Sequence, residues 1–161
     1  MAHLETTGIT ILIGIFIYVV GQLLSKFLID PAYELLKAIG EVRFNLAFHA
    51  ATIHTPEARS KNAAEKARDA LMKSSSDLIA KLHAIPPYGK LWFLFRLPPC
   101  QAIEEAAVTL RGLSTYVYEY VDEREQKSKT LDAIQKRVKR IERLLRFKPL
   151  ESIGYPMEPS N

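Results

Sequence analysis

Arg43, Asn45 and His49 are the residues of this chain whose types best suit catalysis. An imidazole can move a proton at a ribose 2′-hydroxyl, and a guanidinium can neutralise the charge that builds on a phosphorane. The set therefore suits metal-independent RNA cleavage. Spacing complicates the assignment. At 3.6 residues per turn, Arg43 and His49 stand about 120° apart on a helix, whereas Asn45 and His49 share a face. His54 returns to the side of Arg43, and next to Thr55-Pro56 it equally suits a helix end. His49 lies between Leu46 and Ile53 on an apolar stripe, where a hydrogen-bonded core histidine is the competing reading. His3, His49, His54 and His83 come without an acid cluster at ligand spacing, so no metal is expected. The glycines are too scattered to cradle a phosphate, no serine triad is present, and Ser74-Ser75-Ser76 reads as helix packing. No cofactor is expected, and the enzyme reading is the weaker one.

A second set is electrostatic. From Lys127 to Lys148 nine Lys and Arg, among them Lys136, Arg137, Lys139, Arg140, Arg143 and Arg146, face only Asp132 and Glu142. Opposite an apolar stripe, such a helix suits an anionic lipid leaflet, a nucleic-acid backbone or an acidic protein. Only Phe147 is interleaved, so base stacking has little support. A solvated helix face is the plainer alternative.

What positions these groups begins with Thr6–Ser25, TTGITILIGIFIYVVGQLLS, a run without Asp, Glu, Lys, Arg or His. Its length matches the roughly 20 residues that an α-helix needs to cross hydrocarbon. A signal peptide would begin with basic residues and end at a small-residue cleavage site, and neither is present. Lys26 follows, able to snorkel to the interface. All 22 Lys and Arg lie beyond this run, against 17 of the 18 acids. A basic flank stays in the cytoplasm, which puts the amino terminus outside the inner membrane and the body inside. Within the anchor Gly14, Tyr18, Gly21 and Ser25 fall on one stripe with Gln22 beside it, a pattern that favours close contact between anchors in lipid. A ring of such anchors would place Tyr18 and Gln22 on a lumen. The lone Cys100 fits a reducing compartment and reads as an inert buried thiol.

Beyond the anchor four stretches carry steps of three and four. They run over 31–53 (Leu35, Ile39, Val42, Leu46), 56–85 (Ala64, Ala67, Leu71, Ser74, Leu78, Leu82), 99–120 (Ile103, Ala106, Leu110, Leu113, Val117) and 130–147 (Leu131, Ile134, Val138, Ile141, Leu145). Asp30-Pro31 and Thr55-Pro56 read as caps with proline at the first helical position. The expected fold is all-α: a transmembrane helix over 1–29, a cytoplasmic antiparallel four-helix bundle over 30–148, and a loose tail over 149–161. Between Pro86-Pro87 and Pro98-Pro99 the segment LWFLF reads as a short helix over the bundle end or as an interfacial element. In the latter case Trp92 sits at headgroup depth with Lys90 and Arg96 on phosphates.

Three stretches, DPAYELLKAIGEVRFNLAFHAATIHTP, LIAKLHAIPPYG and AIEEAAVTLRGLS, resemble a family of small, uncharacterised bacterial single-pass membrane proteins. The resemblance covers about half of the chain. More distantly, the pattern is similar to the HEPN-like membrane accessory proteins of type VI-B CRISPR systems. That likeness implies a homo-oligomeric membrane pore supporting phage defence, near RNA or an RNA-guided complex, with no need for intact ribonuclease chemistry. Arg43 and His49 also fit the loose R-x(4–6)-H signature of HEPN ribonucleases. Three functions are thus expected in order: a self-associating membrane protein, a tethered HEPN-like ribonuclease, and an adaptor for an acidic partner or anionic lipid.

Overall fold

A computed structural model describes residues 2–55, 60–85, 95–118 and 124–147, with the backbone alone for 2–7 and 124–128. Among these residues the secondary structure is entirely helical. Helix α1 spans Ala2–Leu24, a widened π turn spans Ser25–Ile29, and α2 spans Asp30–Phe48. The short α3 (Ala50–His54) is followed by α4 (Lys61–His83), α5 (Cys100–Tyr118) and α6 (Arg124–Leu144).

The first correction to the sequence reading lies at Asp30-Pro31. Neither residue starts a new helix: Ile29 and Asp30 are both helical (φ −72° and −61°), and no side chain caps the turn. Pro31 lacks an N–H, and its ring crowds the carbonyl four residues earlier. The turn ahead of it opens, so that the Asp30 N–H donates to the carbonyl of Ser25, five residues back. This lets the helix pass the proline. The result is one helix over Gly8–Phe48, 41 residues, or roughly 60 Å.

Helix boundaries shift elsewhere for equally local reasons. The predicted 31–53 helix breaks at His49 (φ −95°, ψ 11°), although the Ile53 N–H still reaches the His49 carbonyl at 2.9 Å. Thr55 closes α3, its hydroxyl donating to the Ala51 carbonyl, so it does not open the next helix. That start belongs to Ser60 (ψ 150°), whose Oγ accepts the Ala63 N–H at 3.2 Å. At α5 the Pro99 carbonyl takes the N–H groups of Ala102 and Ile103. Helix α6 begins earlier than its apolar period suggests and ends with Arg146 left-handed (φ 57°). There the Phe147 N–H bonds the Glu142 carbonyl and the Arg146 N–H that of Arg143, the paired bonds of a Schellman end.

The core forms where the periodic residues of α2, α4, α5 and α6 meet. Helix α4 packs on α2 and α5, α5 on α6, and α3 on α4 and α6. Leu35, Val42, Leu71, Leu78, Leu110, Leu113, Ile134 and Ile141 are all fully buried. Leu97 joins them from the segment before α5, with Phe95 packed alongside. Polar residues on this face are satisfied. Ser75 donates across to the Ala107 carbonyl at 2.8 Å, and Ser74 donates to Ala70 within its own helix. Lys90, Trp92 and the tail over 149–161 lie outside the described residues.

Candidate functional site

The three residues of the catalytic reading lie along the end of α2, and each has its own surroundings. Asn45 is half-buried and gives its amide to Ser74 Oγ at 2.8 Å, tying α2 to α4. His49 sits on the bend after α2, with its ring edge-on to Phe48 at 5.0 Å. Arg43 is half-buried a turn and a half earlier, and no hydrogen bond or ion pair joins it to Asn45 or His49. Burial holds the His49 imidazole below its ordinary value, because the charged form loses hydration there. The unfolded chain therefore takes up that proton first, and stability falls as the pH drops through the range below 6.5. Urea midpoints on either side of that value should show this slope in the wild type, and His49→Gln should flatten it. No group of three potential metal ligands occurs among the described residues.

The basic face divides in two. Arg137 and Arg140 turn onto α5. The Arg137 guanidinium lies 4.7 Å from the centre of the Tyr116 ring, and Arg140 Nε donates to Glu105 Oε1 at 2.6 Å. Lys136, Lys139, Arg143 and Arg146 stay exposed, Arg143 donating to the Lys139 carbonyl. Gly112 makes the inward fold of Arg137 possible: a Cβ there would stand 2.5 Å from Arg137 Nη1. Gly112→Ala should gain about 1 kcal/mol in helix propensity and lose about 0.5–1 kcal/mol of cation–π contact. Its unfolding midpoint is expected close to wild type. In a double-mutant cycle, Arg137→Ala should then cost nothing further in the Gly112→Ala background.

Between α2 and α4 a shallow cleft is lined by Glu34, Lys37, Glu41, Lys73, Asp77 and Lys81. Lys81 reaches Glu34 at 3.0 Å, and that bond and charge, with Lys37 behind it, hold the Glu34 carboxyl below its usual range. The mixed signs leave the cleft no selectivity for an anion. Cys100 is half-buried with Sγ 3.6 Å from Glu104 Oε1. Burial, then the Glu104 charge and hydrogen bond, push its thiol up, so it stays protonated and unreactive near neutrality.

The anchor is bare. No part of its apolar window is buried against the rest of the chain, and it is the one helix among the described residues long and apolar enough to cross a membrane. Gly14, Tyr18, Gly21 and Gln22 are exposed and Ser25 partly so, with open space beside both glycines. Lys26 and Arg96 are exposed, Lys26 on the π turn and Arg96 in a left-handed turn (φ 54°). No family model, curated protein or solved structure matches the chain.

Sequence reasoning missed the outer face of α2. Tyr33 (67% exposed), Phe44 (62%) and Phe48 (69%) point away from the core, with Leu36 beside them and open space at Gly40. Phe44 and Phe48 stack on each other at 5.5 Å. The signal was legible as a second apolar set at steps of three and four, 33-36-40-44-48, running opposite Leu35, Ile39, Val42 and Leu46.

Proposed function

We propose that this is a single-pass membrane protein whose copies associate through the anchor and the helical body. The observation that carries the reading is the unbroken helix Gly8–Phe48. It couples an unburied apolar half, with its stripe of small residues, directly to the body, so contact between anchors fixes where the bodies stand. The excess of Lys and Arg after the anchor favours an inner-membrane protein with its amino terminus outside and its body cytoplasmic. In this reading α2, α4, α5 and α6 form an antiparallel four-helix bundle. The step to a HEPN-like, pore-forming effector of phage defence rests on the sequence resemblance. A ribonuclease would need Arg43 and His49 on one phosphate, and association does not depend on that pair.

The test is the mass of the full-length protein in mild detergent, with Gly14→Leu and Gly21→Leu beside it. An oligomer that the leucines weaken about tenfold, by blocking the close approach that small residues allow in lipid, supports the reading. A wild-type monomer overturns it. His49→Ala is expected to leave the mass unchanged.

A further inference from the structure

We infer that the outer face of α2, Tyr33, Gly40, Phe44 and Phe48, packs against the same face of a second copy of this chain, continuing the anchor contact beyond the membrane. The inference rests on the self-association proposed above and names the surface in the body that carries it.

The π turn holds one extra residue, so beyond it the helix falls back by about 100°. Counted that way, Gly14, Tyr18, Gly21 and Ser25 and then Tyr33, Gly40, Phe44 and Phe48 lie within about 40° of one line. The buried Leu35, Ile39, Val42 and Leu46 lie on the opposite side of α2. Without the widened turn, the aromatic set would point about a quarter turn or more away from the anchor stripe. Pro31 therefore brings the two halves into one seam.

Lipid cannot cover this face. At 1.5 Å per residue Phe44 and Phe48 stand about 27 and 33 Å beyond Lys26 along the helix, and headgroups extend only some 5–8 Å past the hydrocarbon. The usual tilt of a membrane helix does not close that distance.

Area points to a second copy. Three rings about two-thirds free offer on the order of 400 Å², about half of what one partner contributes to a standard interface. Alone this area falls short of a standard interface, and joined to an anchor contact it extends one. Because all anchors cross in the same direction, the helices meet in parallel, ring against ring, with Gly40 leaving room at the centre. Lys37 falls within about 20° of this line, between Tyr33 and Gly40; Glu34, whose carboxyl already feels the Lys37 charge, and Glu41 line the same cleft and offset it at the contact.

Cysteine crosslinking of the full-length protein in lipid nanodiscs tests this, in a Cys100→Ser background. Gly40→Cys sits in open space, and Val108→Cys, on a residue of α5 that is 71% exposed, is the control. Analytical mass on the same samples reports association independently. The expected result is an oligomer in which Gly40→Cys forms disulfide-linked pairs at least about tenfold faster than Val108→Cys, as held neighbours do at high effective concentration. An oligomer with equal rates overturns the α2 seam and leaves self-association standing. A monomer overturns both.

Discussion

Leu110→Ala is expected to lower the free energy of unfolding by about 2–5 kcal/mol, since it deletes a fully buried side chain and leaves a cavity. Leu110 is 0% exposed on α5, the helix that packs on both α4 and α6. Neighbouring helices tied down on two sides cannot collapse into the space, which puts the cost toward the upper part of that range. A body of this size holds only about 5–15 kcal/mol in total, so the variant should lose a large share of its urea midpoint. Val108→Ala, two residues away at 71% exposure, is the matched control and should stay within about 0.5 kcal/mol of wild type. Equal midpoints for the two variants would mean that α5 is not the central element of the core.

The second large effect belongs to the anchor. Phe16→Asp combined with Val19→Asp is expected to release the protein from membranes. Each carboxylate near the middle of a spanning helix costs about 2.5–3.5 kcal/mol of insertion, and the pair outweighs much of what the apolar run gains. Both side chains are exposed and lie off the Gly14–Ser25 line, so the change reads insertion rather than helix contact. Alkaline carbonate extraction followed by density flotation should leave the variant in the soluble or dense aggregated fraction while the wild type floats with the membranes. A variant that still floats with the membranes would show that the apolar run need not cross the bilayer to hold the protein there.

The sequence by itself determined the run long and apolar enough to cross a membrane and the inward face of each helix. Leu35, Val42, Leu71, Leu78, Leu110, Ile134 and Ile141 are buried where steps of three and four placed them. Such a period is a property of one helix and needs no knowledge of its neighbours. Cap chemistry was less legible. Asp30-Pro31 has the composition of a helix start, yet a single widened turn lets the chain run through, and Thr55 ends one helix while Ser60 begins the next. Those outcomes depend on backbone geometry a turn away, which residue type alone does not specify.

The tertiary structure decided which polar groups remain available. Arg137 and Arg140 belong to the same basic run as Lys136 and Arg143, but Tyr116 with Gly112 draws Arg137 inward, and Glu105 pairs Arg140 at the surface. Asn45 is committed to Ser74 across the α2–α4 contact. The bare aromatic face of α2 has the same origin. Spacing marks two apolar stripes on that helix, and only the packing of α4 against one of them leaves Tyr33, Phe44 and Phe48 uncovered. Periodicity reports the faces of a helix, whereas contacts between residues distant in sequence choose which face is covered.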